Sequence, residues 1–372
     1  MILSALELNF FRNFVKESIR LDKKRNIICG ENAQGKTNIL EAIYLLCISR
    51  SFRTRHEREA VNFDSDFFTI KGEFCLDNGN IKNVIFHFTR EAGKQITINR
   101  NRINKLSDYI GQFPIVLSSP EEYSLTSGPP AERRRFIDIL LSQISIKYIH
   151  NLQDYYRIVK QRNKILNNRN YSNYKIDELL EPWNVSLIEK GSRIIFERMQ
   201  FSEKFNDILK NVYSNLTVSN EKLDFKYNSK LKFYGLDEIS KEYKEKLDSI
   251  KILELKQGIT LLGPHRDDFL FQINGKELRK FGSRGQHKTV LIALTIAELK
   301  LIKEKINETP IILIDDLFSE IDKFREERIM NLLQGLGQTF ITTTIEINEA
   351  KKYSDDTSLR YFYIDDGKIK VV

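Results

Sequence analysis

The 372 residues are 41% hydrophobic and 30% charged, with 59 Lys+Arg against 51 Asp+Glu and a formal net charge of +8. That length points to two domains or lobes around a real core, and the modest basic excess permits a nucleic-acid partner without establishing one. No apolar run is long enough to span a bilayer, the first eight residues alternate like a strand rather than a secretion signal, and Cys29, Cys47 and Cys75 lack disulfide or metal spacing, which points to a reducing cytoplasm.

In chain order, residues 3–10 and 25–29 predict strands. Gly30-Glu31-Asn32-Ala33-Gln34-Gly35-Lys36-Thr37 follows and fits G-x-x-x-x-G-K-[ST]. An apolar run (Ile27, Ile28, Cys29) enters this loop and an amphipathic run (Ile39, Leu40, Ala42, Ile43, Leu45, Leu46) leaves it, the strand–loop–helix setting of a phosphate cradle. Its glycines let backbone N–H groups turn toward an anion, and the following helix N-terminus adds to that field. Lys36 is expected to reach the β- and γ-phosphates of a nucleoside triphosphate and Thr37 to hold Mg²⁺. Residues 67–76, 84–89 and 95–98 predict a small antiparallel layer, with a turn at Asn99-Arg100-Asn101, and residues 114–117 a buried strand.

From Ala131 to about residue 215 the pattern turns helical, broken near Asn167-Asn168-Arg169-Asn170, and it resumes over 237–256 around a strand at 223–227. Arg133-Arg134-Arg135 opens the first helix, where basic residues oppose the helix dipole, so an electrostatic role outside the helix stands beside a plain solvated face. After Gly258 the α/β texture returns with a hairpin through Asn274-Gly275. Ser283-Arg284-Gly285-Gln286 then precedes a long helix to about residue 306, a serine and glycine at a helix N-terminus that form a second anion site. The strand Ile311-Ile312-Leu313-Ile314 ends in Asp315 and Asp316, the first placed to hold Mg²⁺ and the second to orient or deprotonate the attacking water. Ser319-Glu320-Ile321-Asp322 reads as a helix N-cap for 323–334, and strands at 339–343, 361–364 and 368–371 close the chain. These patterns predict a split nucleotide-binding lobe, residues 1–130 with 258–372, and an inserted mainly helical lobe, 131–257. His265, beside Arg266, Asp267 and Asp268, reads as a packed or capping histidine more readily than a catalytic one.

The order phosphate loop, S-x-G-Q, apolar strand with two aspartates, and S-E-I-D resembles the ABC-type ATPase heads of the SMC family, and Asn38 after Gly35-Lys36-Thr37 is similar to that branch. The resemblance implies an α/β ABC-type P-loop head, a mixed sheet plus an antiparallel layer, in which two heads sandwich ATP and Ser283, Gly285 and Gln286 of one copy face the loop of the other. Phe11-Arg12-Asn13-Phe14, Ser51-Phe52-Arg53, Ser119-Pro120-Glu121-Glu122, Gly128-Pro129, Arg133-Arg134-Arg135-Phe136 and Gly263-Pro264-His265-Arg266-Asp267-Asp268 resemble the RecF family of bacterial recombination mediators. That likeness implies an ATP-dependent homodimer in DNA repair that binds double-stranded and gapped DNA and loads RecA with RecO and RecR. Arg53, Arg55, Arg58, Arg133, Arg134 and Arg135 are the candidate DNA contacts, to phosphates rather than bases.

Departures from the wider ABC pattern are Arg284 in the signature, Asp316 where glutamate is usual, and Thr342-Thr343-Thr344 without a histidine. They lead to an expectation of slow hydrolysis. The competing readings are the energy subunit of a transporter, disfavoured by the long stretch between Thr37 and Ser283, a nuclease with an ABC-type head, and a head that binds ATP without hydrolysing it.

Overall fold

Ten apolar-alternating residues start the chain as β1 (Ile2–Phe11), in which Leu3, Leu6, Leu8 and Phe11 are buried. The odd step from Leu3 to Leu6 is a bulge: the register against the neighbouring strand slips between Leu3 and Ala5, so the inward alternation survives. The computed structural model describes residues 1–168, 173–217, 221–231, 235–316, 335–344 and 359–372. Its elements continue as β2 (Phe14–Arg20), β3 (Arg25–Cys29), α1 (Lys36–Ile48), β4 (Phe67–Cys75), β5 (Ile81–Thr89), β6 (Gly93–Ile98), β7 (Asn101–Arg102) and β8 (Ile115–Ser118). Then come α2 (Tyr123–Ser127), α3 (Pro130–Ile144), α4 (Ile146–Leu166), α5 (Asn173–Leu216), β9 (Leu223–Asn228), α6 (Leu236–Gln257), β10 (Asp268–Ile273), β11 (Lys276–Glu277) and α7 (Leu278–Phe281). The described chain ends with α8 (Arg284–Lys305), β12 (Ile311–Ile314), β13 (Thr339–Thr343), β14 (Leu359–Asp365) and β15 (Lys368–Val371). The expected N-cap at Ser319-Glu320-Ile321-Asp322 and its helix lie outside the described residues.

Two compact units result, Met1–Tyr123 with Lys288–Val372, and Ser124–His287. The first holds two sheets. One is antiparallel, in the order β2-β1-β4-β5-β6-β7, and the Asn99-Arg100 turn carries positive φ at both residues, which closes the β6–β7 hairpin. The other has the order β15-β14-β3-β13-β12-β8, parallel except for the β14–β15 hairpin at its edge. Strands β12 and β13 are buried along their whole length, as parallel strands covered on both faces must be. Helix α1 packs on strands of both sheets, β4 and β5 of one and β8 and β13 of the other. Ile39, Leu40, Ala42, Ile43, Leu45, Leu46 and Cys47 are accordingly buried around its circumference, not along one stripe. Cys29 and Cys47 are buried core residues, and no described helix is long and apolar enough to cross a membrane.

In the second unit, helices α3 to α6 pack with a small sheet of order β11-β10-β9. Strand β9 pairs antiparallel with β10 from Leu223↔Ile273 to Asn228↔Asp268. That pairing ties residues 258–287 to the helical unit, so the division falls at His287 and not at 257 as the change in texture implied. The GPHRDD segment forms part of a buried polar knot in this unit. Arg198 donates to Asp138 at 2.6 Å, to the Tyr148 hydroxyl at 2.9 Å and to the Pro264 carbonyl at 2.7 Å. His265 Nδ1 meets the Tyr155 hydroxyl at 2.6 Å and Nε2 lies 3.1 Å from the Thr260 carbonyl. Burial, with Arg266, Arg134 and Arg162 nearby, pushes its pKa down to about 4, so the ring is a neutral packed group. Gly263 adopts φ +124°, and a Cβ there would lie 2.1 Å and 2.2 Å from the hydroxyls of Tyr243 and Tyr155, which only glycine avoids.

Candidate functional site

In the parallel sheet of the first unit, the carboxyl end of β3 runs directly into the Gly30–Thr37 loop, and that of β12 into Asp315 and Asp316. Such strand ends are where open α/β sheets place ligands. Gly35 caps α1 with φ +113°, a conformation that requires glycine, and a Cβ there would also push against the Asn13 side-chain amide at 2.7 Å. Ala33 is also in the left-handed region at φ +67°, which curls the loop backbone as an anion cradle does. Glu31, Asn32 and Ala33 are exposed, while Gly35 and Lys36 are buried.

The Lys36 ammonium donates to the carbonyls of Gly30 at 2.8 Å and Glu31 at 2.7 Å. Burial lowers its pKa, while Asp316 and Asp315 act in the opposite direction. The Thr37 hydroxyl lies 3.0 Å from each carboxylate oxygen of Asp315 and donates to it. Thr342, at the end of β13, donates to Asp315 Oδ1 at 2.6 Å and accepts the Asp316 N–H at 2.9 Å. Asp316 itself sits at φ +46°, a left-handed conformation that aspartate tolerates better than most residues. A hydroxyl and a carboxylate side by side are hard oxygen donors of the kind Mg²⁺ takes when substrate phosphates supply other ligands. Among the described residues no group of three or more His, Cys, Asp or Glu gathers as a metal cage.

Several residues that hold the loop were given no role from the sequence, although Arg12, Asn13 and Ser51 lie in segments that carry the family resemblance. Asn13, in the β1–β2 turn, donates to the Gln34 carbonyl at 2.8 Å and accepts from Asn38 at 2.8 Å. Asp366, in the β14–β15 turn, donates its N–H to Gln34 Oε1 at 2.7 Å, so turns from two sheets grip the same loop residue. Arg12 makes a bidentate pair with the fully buried Glu41 of α1 at 2.9 Å and 2.7 Å, and Ser51 donates to the same carboxylate at 2.5 Å. Beside β12, β8 pairs Ser118 with Ile314; the next residue, Ser119, has a buried hydroxyl without a hydrogen-bond partner among the described residues.

The candidate DNA contacts separate into two classes. Arg53, Arg55 and Arg58 are exposed, and Arg53 donates to Asn38 at 2.7 Å, next to the loop. Arg133 is not a surface residue. Its guanidinium pairs with both oxygens of Asp268 at 2.8 Å and 3.0 Å and donates to the Gly128 carbonyl at 2.9 Å, leaving it 3% exposed. Arg134 is half-buried and donates to the Asp267 carbonyl at 2.6 Å, and Arg135 is half-buried as well. The three-arginine run is therefore partly structural. Ser283 and Gly285 are exposed and Gln286 half-buried at the start of α8, in the second unit. The Ser283 hydroxyl accepts the Gln286 N–H at 3.2 Å while Gln286 Oε1 accepts the Ser283 N–H at 2.9 Å, a reciprocal capping box.

Comparison with known proteins adds to this geometry. Residues 2–369 match the RecF/RecN/SMC N-terminal domain family. The chain is 38% identical over 372 residues to the DNA replication and repair protein RecF of Ligilactobacillus salivarius, covering 99% of this chain and 97% of that one. It is 36% identical over 347 residues to RecF of Bacillus velezensis, covering 92% and 93%. A solved structure of the recombination mediator RecF with ATP, in the RecFOR pathway, superposes with a TM-score of 0.92 at 31% identity, covering 100% of this chain and 97% of that one. An Smc head domain from Pyrococcus furiosus shares the fold at a TM-score of 0.57 and 15% identity, covering 100% of this chain and 96% of that one.

Proposed function

Because the chain belongs to the RecF family, within the RecF/RecN/SMC group, we propose that it is an ATP-binding and slowly ATP-hydrolysing protein of DNA replication and repair that closes as a homodimer on ATP. In this reading the loop Gly30 to Thr37 wraps the triphosphate with its backbone N–H groups and Lys36. Thr37 and Asp315 would hold Mg²⁺, which when bound would neutralise phosphate charge. Asp316 orients the attacking water, and Ser283, Gly285 and Gln286 of a second copy complete the site. The observation that supports the reading is the meeting of Thr37 with Asp315 at 3.0 Å beside Lys36, residues far apart in the chain.

The closed dimer then binds duplex and gapped DNA mainly through phosphates, with Arg53, Arg55 and Arg58 as first candidates and Arg134 and Arg135 as secondary ones. RecO and RecR are the proposed partners and RecA loading the proposed outcome, by analogy with the RecFOR pathway in which the RecF structure is placed. Slow turnover fits the short Asp316 side chain, which must reach the water differently from a glutamate. A head that binds ATP without hydrolysis is the alternative, and phosphate release measured on wild type and Asp316→Asn separates the two.

Sedimentation with and without ATP, and with duplex DNA, tests the main reading on wild type, Lys36→Met and Ser283→Arg. ATP is expected to drive dimerisation and DNA binding in the wild type alone. A dimer indifferent to ATP and to Ser283→Arg would overturn it.

A further inference from the structure

The Ser283–Gln286 capping box is held from behind. With Oε1 of Gln286 committed to the Ser283 N–H, its amide nitrogen donates to Glu221 Oε1 at 2.8 Å. A carboxylate only accepts, so Glu221 forbids the opposite flip of that amide. The other Glu221 oxygen accepts from the Tyr213 hydroxyl at 2.8 Å, and Tyr213 is buried in α5. The neighbouring residue is pinned as well. Lys222 exchanges hydrogen bonds with Asn274 of the β10–β11 turn, its N–H to Asn274 Oδ1 and its carbonyl from the Asn274 N–H, both at 2.9 Å. A rigid carboxylate thus faces the half-buried side of the turn, while Ser283, Arg284 and Gly285 lie exposed.

We propose that Glu221 is a positioning residue for the Ser283–Gln286 turn, fixing the Gln286 amide and through it the Ser283 hydroxyl and the first N–H groups of α8. This rests on the reading in which that turn receives the γ-phosphate of ATP held by a second copy. A preformed turn meets the phosphate without an ordering cost, whereas a turn with a rotating Gln286 amide orders only as the dimer closes. The charge of Glu221 acts against this role, since a carboxylate behind a helix N-terminus weakens its attraction for phosphate. Positioning and electrostatics therefore predict opposite signs for its removal.

The test compares the full-length wild type with Glu221→Ala, Glu221→Gln, Gln286→Ala and the double variant Glu221→Ala/Gln286→Ala. Sedimentation with ATP reads dimer affinity, a fluorescent ATP analogue reads binding by the single chain, and hydrogen exchange reads the peptide spanning residues 280–290. Glu221→Ala is expected to weaken the ATP-driven dimer about tenfold, the order expected for a hydrogen bond to a charged group, with analogue binding unchanged. Glu221→Gln keeps an acceptor oxygen for Gln286 and should stay within about twofold of wild type. Glu221→Ala should add nothing to Gln286→Ala, because it acts through that residue. Unchanged or tighter dimers with Glu221→Ala, or equal losses in both backgrounds, would overturn the proposal. Exchange in the 280–290 peptide should speed up in Glu221→Ala without any nucleotide. If the wild type fails to dimerise the sandwich reading falls, and unchanged exchange then refutes the positioning role by itself.

Discussion

Replacing Arg133 by alanine should damage the helical unit and not merely a DNA surface. The side chains of Arg133 and Asp268 are 4% and 19% exposed, and their pairing is bidentate. Removing one member of such a pair leaves a largely buried charge without its counter-ion, at a cost of about 3–5 kcal/mol. In a unit of this size each kcal/mol moves the midpoint by about 2–4 °C, so the unit should melt roughly 6–20 °C lower. Circular dichroism at the helical band reports chiefly on that unit, which contains α3 to α6. Arg135→Ala is the matched control and should melt close to wild type. Arg133→Leu with Asp268→Leu should recover part of the loss, because an apolar pair leaves neither charge buried and unpaired. An Arg133→Ala protein that melts like wild type but loses duplex binding would refute the structural assignment and restore the phosphate-contact reading.

Two further outcomes follow from the site and the knot. Asp315→Asn keeps the shape beside Thr37 but removes the charge, so affinity for a fluorescent ATP analogue should fall about tenfold or more with Mg²⁺ and should not fall in EDTA, where the carboxylate only repels phosphate; equal losses in both buffers would refute the cation role. His265 has its pKa depressed from 6.5 to about 4, so the folded chain binds fewer protons there than the unfolded one. Its contribution is therefore complete above pH 6.5 and is lost as pH falls toward 4, by roughly 3 kcal/mol at most. Urea unfolding of wild type and His265→Gln should diverge least at the acid end of that window. Taking the difference between the two removes the opposite effect of buried Asp267, whose pKa is raised by desolvation. A wild-type advantage that does not shrink with acid would count against the assignment.

What could be read from the sequence follows a physical line. The phosphate loop, the acidic strand and the capping residues were legible because their chemistry is carried by neighbours within one short window. Thr37 and Asp315 could be paired in advance because each had its own local signature, a phosphate loop and an acid-ended apolar strand. Thr342 could not, since a threonine among three threonines announces nothing until β13 is placed beside β12. Asn13 stood in a family-like segment, but its role was not legible: its side chain serves Gln34 and Asn38 only because the β1–β2 turn folds onto the loop. Arg133 shows the reverse error. Three consecutive arginines imply a shared surface, yet helical geometry sends each in a different direction, and Asp268, which neutralises Arg133, is distant in sequence.

The same arrangement constrains how the loop takes up its ligand. The Lys36 ammonium rests on the carbonyls of Gly30 and Glu31, and Asp315 accepts from two threonine hydroxyls, so these charged groups already have partners within the fold. Phosphate oxygens that take Lys36 must displace those carbonyls, and part of the gross contact energy is spent in the exchange. Asp315 and Asp316 both act on Lys36, which sets two carboxylates against one ammonium. A bare triphosphate therefore meets a site whose side chains carry excess negative charge, with the loop N–H groups and the α1 dipole opposing that repulsion. In the proposed site, arrival with a divalent cation would remove the conflict, because the oxygens of Thr37 and Asp315 would then face a positive charge. Nucleotide affinity should consequently depend on the cation more steeply than on any single loop side chain other than Lys36.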